Sequence, residues 1–381
     1  MHDSRVMPSS DLPRQIVTMR LFYFMAGIGL SVWAIIVPFA KIRFHLDDGT
    51  LGLILMASGT GGVLAMPFTG PLIGRFGSRS VLAGAGVLYG VILPLLNIAP
   101  GVPSLVGLLF VFGAAFGAID VAMNAQAVVI EARSGRLLMS GFHAMYSVGS
   151  LTVALCTFLL LKAGASYALC SFLFAAIALG ILTQLRHLLP RHLDLPAGPA
   201  FALPNRETLL LGLCCFACFL TEGAVTDWST VYLRFSRDVA ISSATLGYAG
   251  FSIMMAASRL LGDGIATRIG KLAVMRFGAL LAAAGLMLSV LATNVPADVL
   301  GFALVGAGVG NIAPLLFGAA SRVPGMPASL SVPAVVSLGY VGFLTGPVLI
   351  GFIAHHFSLS VSLALDGVMM FLLSFAARAV V

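Results

Sequence analysis

Within Phe112–Ser150, polar residues recur at helical spacing inside otherwise apolar sequence. Asp120 and Asn124 are four apart and Glu131 lies seven beyond Asn124, so a helix puts all three on one face. After a turn holding Arg133 and Arg136, a second apolar segment carries His143, Tyr146, Ser147 and Ser150 along one of its own faces. Polar groups are costly in lipid, so these faces are expected to meet each other or a watery cavity. A carboxyl group held there can load and unload a proton, and Asp120 is the first candidate, set against a structural aspartate bonded to His143 or to backbone. His143 fits either a proton relay with Asp120 or a hydrogen-bonded structural histidine.

Glu222 is a second candidate for proton coupling or solute binding, with Thr226 and Ser229 on its face. Asp227 is rotated away from it and is expected to pair with Arg234 at the outer rim. Trp228 fits either a ring stacked on a ligand or an interfacial anchor. Asp366 reads as a structural hydrogen-bonding group. No nucleophile–base pair or metal cluster has a recognisable spacing, and no G-x-x-x-x-G-K-[ST] phosphate loop occurs, so neither an enzyme nor direct use of ATP is expected. No cofactor and no metal is implied. Cys156, Cys170, Cys214, Cys215 and Cys218 all fall in apolar segments and read as small buried residues.

These residues must be positioned by a membrane scaffold. Hydrophobic residues make up 59% of the 381-residue chain and charged residues 9%, against roughly 25% charged in a soluble domain. Mean hydropathy is +1.05. Twelve spans are predicted near 16–40, 51–74, 80–99, 104–131, 138–161, 166–186, 208–233, 243–267, 272–293, 298–321, 329–354 and 358–379. The chain divides into an N-terminal six-helix bundle (1–187), a cytoplasmic linker (188–206) and a C-terminal six-helix bundle (207–381). The linker region carries four prolines with Arg191, His192 and Arg206.

With the N-terminus cytoplasmic, the inner loops and tails hold 15 Lys and Arg and the outer loops 5, which places both termini inside. The net charge of +7 therefore reads as membrane orientation, not nucleic-acid binding. The halves also repeat. Arg75-Phe-Gly77 matches Arg268-Ile-Gly270, and Gly113/Gly117 match Gly306/Gly310, both at an offset of 193. Thr50-Leu-Gly52 matches Thr245-Leu-Gly247 at 195, and Ser147-Val-Gly149 matches Ser337-Leu-Gly339 at 190. Four matches at nearly one offset indicate two bundles related in parallel.

This pattern, together with Gly70-Pro-Leu-Ile-Gly74-Arg75-Phe-Gly77-Ser-Arg79 and Arg259-Leu-Leu-Gly262-Asp263, resembles the major facilitator superfamily (MFS) of secondary transporters. Gly74 stands where the family usually has Asp. Asp120-Val-Ala-Met-Asn124-Ala-Gln126 and Ser140-Gly-Phe-His143-Ala resemble a bacterial branch distantly similar to fucose-permease-type sugar–proton symporters. The resemblance implies an all-α fold whose bundles rock around a central site. The first, fourth, seventh and tenth helices would line it, with the second, fifth, eighth and eleventh beside them. It places Asn124, Tyr146, Asn311, Ser337 and Tyr340 among candidate neutral ligands. It makes Arg75, Arg79 and Arg268 candidate cytoplasmic gate residues, pairing with Glu131 or Asp263. The reading is a monomeric inner-membrane symporter whose partners are a small solute, protons and the lipid bilayer. Its rival is proton-driven efflux of amphipathic compounds.

Overall fold

The computed structural model describes residues 12–136, 138–188 and 205–380, and every regular element among them is helical. The first bundle comprises α1 (Leu12–Arg43), α2 (Asp48–Phe76), α3 (Ser78–Ile98), α4 (Val102–Ser134), α5 (Met139–Lys162) and α6 (Tyr167–Ile181), with a 3₁₀ segment, Leu182–His187, after α6. The second comprises α7 (Arg206–Ser236), α8 (Ile241–Ile269), α9 (Lys271–Leu291), α10 (Val295–Val309), α11 (Ile312–Ala320), α12 (Ala328–His356) and α13 (Leu359–Val380). α10 and α11 are two pieces of one span, so the described residues form twelve spans. The expected linker, 188–206, lies almost wholly outside the described residues, Arg191 and His192 included.

Eleven spans are long and apolar enough to cross a membrane by length and composition. The remaining one, α8, has 29 residues but carries Thr245, Ser252, Ser258 and Arg259. α1 and α7 are the most enclosed, with 83% and 67% of their most apolar windows buried, against 39% for α3 and α9. Large apolar side chains of α3, α6, α9 and α13, such as Leu88, Phe172, Phe277 and Phe371, are left exposed, as lipid-facing helices require. Cys170, Cys214, Cys215 and Cys218 are buried and all five cysteines are free.

Local chemistry explains the repeated sequence. Gly77 and Gly270 end α2 and α8 with φ of 82° and 87°, where a side chain would be strained. Their N–H groups bond back to Ile73 and Ala266, so the Arg-x-Gly repeat marks one turn used twice. Side chains on Gly113 or Gly306 would overlap the carbonyls of Ser58 and Phe251, so α2–α4 and α8–α10 approach in the same way. Arg43, at the end of α1, donates to the Asn97 carbonyl at the end of α3. Arg237, 194 residues on, likewise donates to the Ala292 carbonyl after α9 and also bonds Asp298 at 2.9 Å.

Two expectations change. The tenth span is not one helix: it breaks at Gly310–Asn311, after three glycines in five residues. Arg234 does not pair with Asp227 but with Asp238, at 2.9 Å. Arg234 is seven residues, about 10 Å of helix rise, beyond Asp227, whereas Asp238 is four residues on. Asp227 itself is buried within α7. Asp366 is the expected structural group: Thr221 donates to it at 2.6 Å, tying α13 to α7.

Candidate transport cavity

A cavity of about 460 Å³ lies between the bundles. It is lined from α1, α4 and α5 on one side and from α7, α8, α11 and α12 on the other, together with Asn311 at the break before α11. Of the residues singled out by sequence, Asp120, His143, Tyr146, Glu222, Asn311 and Tyr340 all face it. The helical spacing that puts Asp120 inside also puts Phe116 and Met123 there, one turn to either side.

Asp120 is held from both bundles. Asn124 Nδ2 donates to Oδ1 at 3.0 Å, and the Tyr340 hydroxyl donates to Oδ2 at 2.9 Å. The Tyr23 hydroxyl donates to Asn124 at 2.7 Å, so a hydrogen-bonded chain runs from α1 through α4 to α12. No hydrogen bond joins Asp120 to His143. His143 instead meets the Tyr23 ring edge-on, with centroids 5.0 Å apart.

Glu222 is not a lone carboxylate. Arg259 Nη2 lies 3.3 Å from its Oε1, and Arg259 Nη1 donates to Ser147 of the first bundle at 3.4 Å. Sequence reading left Arg259 without a site role. Its signal was a fixed positive charge in mid-span, where burial demands a partner. Asn311 donates to the carbonyl and hydroxyl of Ser258 at 2.6 and 2.8 Å, which pins the helix break against α8.

Asn124, Trp228 and Ser337 do not line the cavity. Asn124 stands behind Asp120 as its hydrogen-bond partner. Trp228 is fully buried beside Gly351, and Ser337 is exposed on α12.

The bundles are sealed on the Asp47 side of the cavity. Ser31 and Tyr248 share a 2.8 Å hydrogen bond across them. Backbone of α2 and α12 meets at Gly52 and Gly351, where side chains would collide. Asp47 Oδ1 lies 3.1 Å from His355 Nδ1, Lys41 pairs with Asp48, and the Lys41 ammonium stands 4.8 Å from the Phe235 ring centroid. Asp47 caps α2 through Thr50, whose hydroxyl and N–H hold its pKa down to about 2. On the opposite side the cavity reaches Met139, the first residue of α5.

At that side Arg75 and Arg268 are exposed and Arg79 is half-buried, and none makes an ion pair with a described residue. Glu131 accepts from the backbone N–H groups of Leu138 and Met139 at 2.6 and 2.7 Å, securing the start of α5. The Asp263 side chain lies outside the described residues.

The sequence matches the Major Facilitator Superfamily model over residues 20–340. It is 40% identical to an uncharacterised MFS-type transporter of Yersinia pestis over 382 aligned positions, covering 100% of this chain and 98% of the relative. It is 32% identical to the membrane protein MosC of Rhizobium meliloti, covering 87% of this chain and 82% of that one. The fold resembles a mutant form of the nucleoside transporter NupG with a TM-score of 0.79 at 10% identity, covering 96% and 99% of the two chains. It also resembles a bacterial homologue of the human lysosomal transporter Spinster, in an inward-facing and occupied conformation, with a TM-score of 0.72 at 12% identity, covering 96% of each chain. With two parallel six-helix bundles around one cavity and a family match over most of its length, the chain belongs to the major facilitator superfamily of secondary transporters.

Proposed function

We propose that this protein moves a small polar solute across a bacterial inner membrane by proton-coupled alternating access. One observation carries the reading: Asp120, a carboxyl group inside the cavity, is bonded directly to the opposite bundle through Tyr340. A proton arriving on Asp120 changes the charge on that bond, and with it the attraction between the bundles. A proton gradient worth about 2.3 kcal/mol per charge at 100 mV sustains a roughly 50-fold concentration ratio.

The excess of Lys and Arg in one set of loops supports cytoplasmic termini, which makes the Asp47 side the outer one. The cavity is then closed outside and open inward, with Arg75, Arg79 and Arg268 in a parted inner gate. The separation of residues 1–187 from 207–381 supplies the two rocking bodies. Asp120 carries the proton, Glu222 answers to it through Arg259, and His143 serves as relay. Tyr146, Asn311 and Tyr340 face the solute, and Asn124 positions Asp120.

Efflux of amphipathic compounds is the second reading, favoured by Phe116, Phe219, Phe251, Phe317 and Phe343 in the cavity wall. Purified protein in liposomes loaded with a pH-sensitive dye separates the two. Small polar solutes, tested as sugars, sugar acids and nucleosides, should carry protons in with them, whereas amphipathic cations should drive the opposite proton flux. Absence of solute-dependent proton movement with either panel overturns the coupling.

A further inference from the structure

Arg259 is under-coordinated for a guanidinium at lipid depth. It has five N–H donors in a rigid fork. Among the described residues it makes two contacts, of 3.3 Å to Glu222 and 3.4 Å to Ser147, both single-point. Charge-assisted N–H···O bonds ordinarily close to about 2.7–2.9 Å, and Arg pairs best with a carboxylate through two parallel bonds. Glu222 satisfies neither condition. Both side chains remain open, 17% and 22% exposed, and both face the cavity.

The surroundings define what completes the fork. Tyr146, Ser147, Ser150, Tyr248, Ser252 and Asn311 give that part of the wall neutral donors and acceptors suited to hydroxyl groups. Glu222 and Asp120 share the cavity, so a second negative charge on the ligand would be repelled.

We propose that Arg259 is the anion subsite of the cavity and that the solute is a hydroxylated monocarboxylate, of the sugar-acid class, whose carboxylate takes both outer N–H groups of Arg259 and displaces Glu222. This names the substrate class of the cavity and rests on the transporter reading above. The displaced Glu222 loses its cation in a half-buried site and takes up a proton from solution. The anionic solute and the proton on Glu222 enter as a neutral pair, so the net charge moved per cycle is the proton on Asp120.

The test compares glucuronate with its neutral isostere glucuronamide, together with gluconate, glucose and inorganic phosphate, on the full-length protein in detergent. The sugar acids should raise the melting temperature at concentrations about 10- to 100-fold lower than glucuronamide or glucose, the loss expected when a charged hydrogen-bond pair is removed. Binding of glucuronate by wild type should take up protons from weakly buffered solution. E222Q should bind it more tightly and without proton uptake. R259K keeps the charge but loses the fork and should bind more weakly. The double variant R259Q/E222Q leaves no unpaired charge at the pair and should lose the acid–amide preference while keeping its fold. Equal binding of acid and amide, an acid preference surviving in R259Q/E222Q, a larger shift with phosphate, or no shift with either sugar acid overturns the proposal. The same solutes in liposomes separate the two levels. Proton movement driven by glucose but not by gluconate sinks the anion subsite and leaves the transporter reading. Acid binding in detergent without flux of any solute sinks the coupling and leaves the subsite.

Discussion

Tyr340 on α12 donates a 2.9 Å hydrogen bond to Asp120 on α4, joining residues 220 apart in sequence and on opposite sides of the cavity. The other carboxylate oxygen is held by Asn124, which is held in turn by Tyr23. A single carboxyl group thus sits in a short hydrogen-bonded chain that crosses from one bundle to the other. On the proposed mechanism its charge sets the strength of the contact between the bundles.

Asp120→Asn retains a carbonyl acceptor for Tyr340 and removes the proton site. Accumulation driven by an imposed pH gradient should fall to the level of empty liposomes, while counterflow exchange of labelled solute persists. Wild-type accumulation by this variant would remove Asp120 from the coupling.

Tyr340→Phe deletes the inter-bundle donor and leaves the ring. The loss is expected at about 1.5–3 kcal/mol, the range for a hydrogen bond to a charged group. It should appear as a lower melting temperature for Tyr340→Phe than for Tyr340→Phe built on Asp120→Ala, each measured against its own parent. A non-zero coupling in that cycle is the diagnostic, and additive effects would show that the bond contributes nothing.

Gly351→Val puts a side chain into the Asp48 carbonyl and the Trp228 ring. Overpacking of this kind costs about 1–3 kcal/mol. The clash with Trp228, in the same bundle, is present in every conformation, but the clash with Asp48 of the other bundle falls on the sealed conformation alone, so the population should shift toward one parted at the Asp47 side. A Ser31→Cys probe, fully buried in the wild-type position, should then react faster with a membrane-impermeant thiol reagent added from that side.

Asp47 gives a pH prediction with a definite sign. Its pKa in the folded protein is about 2, below the ordinary value of about 3.9 for an aspartate. Its stabilisation is therefore complete above pH ~4 and is lost as the pH falls toward 2. Asp47→Ala should lower stability at pH 7 by about 0.5–2 kcal/mol, the usual worth of an N-cap, and Asp47→Asn by much less. The gap between wild type and Asp47→Ala should close in melts at pH 2.

The spans were legible because apolar runs of about 20 residues have one outcome in lipid. The helices overrun those runs, as α1 does from Leu12 to Arg43, because helical hydrogen bonding continues into the polar ends. The repeat was legible wherever backbone geometry demands glycine, as at Gly77 and Gly270. The cavity was legible on α4 and α5, where polar residues recur with the helical period. Three-dimensional pairing was not. Arg259 and Glu222 are 37 residues apart on different helices, and no periodicity within either one announces the other. The Asp227–Arg234 expectation failed because nearness along a helix was taken for nearness of side chains.

The interruption at Gly310–Asn311 makes the two bundles mechanically unequal. α4 is an unbroken rod of 33 residues, whereas its counterpart is a 15-residue piece and a 9-residue piece jointed beside the solute chamber and anchored there by Asn311. If the bundles rock about the cavity as proposed, bending concentrates at that joint, the N-terminal half swings as a stiff lever and the C-terminal half flexes like a knuckle. Stapling the knuckle straight would stall the cycle without touching a single ligand.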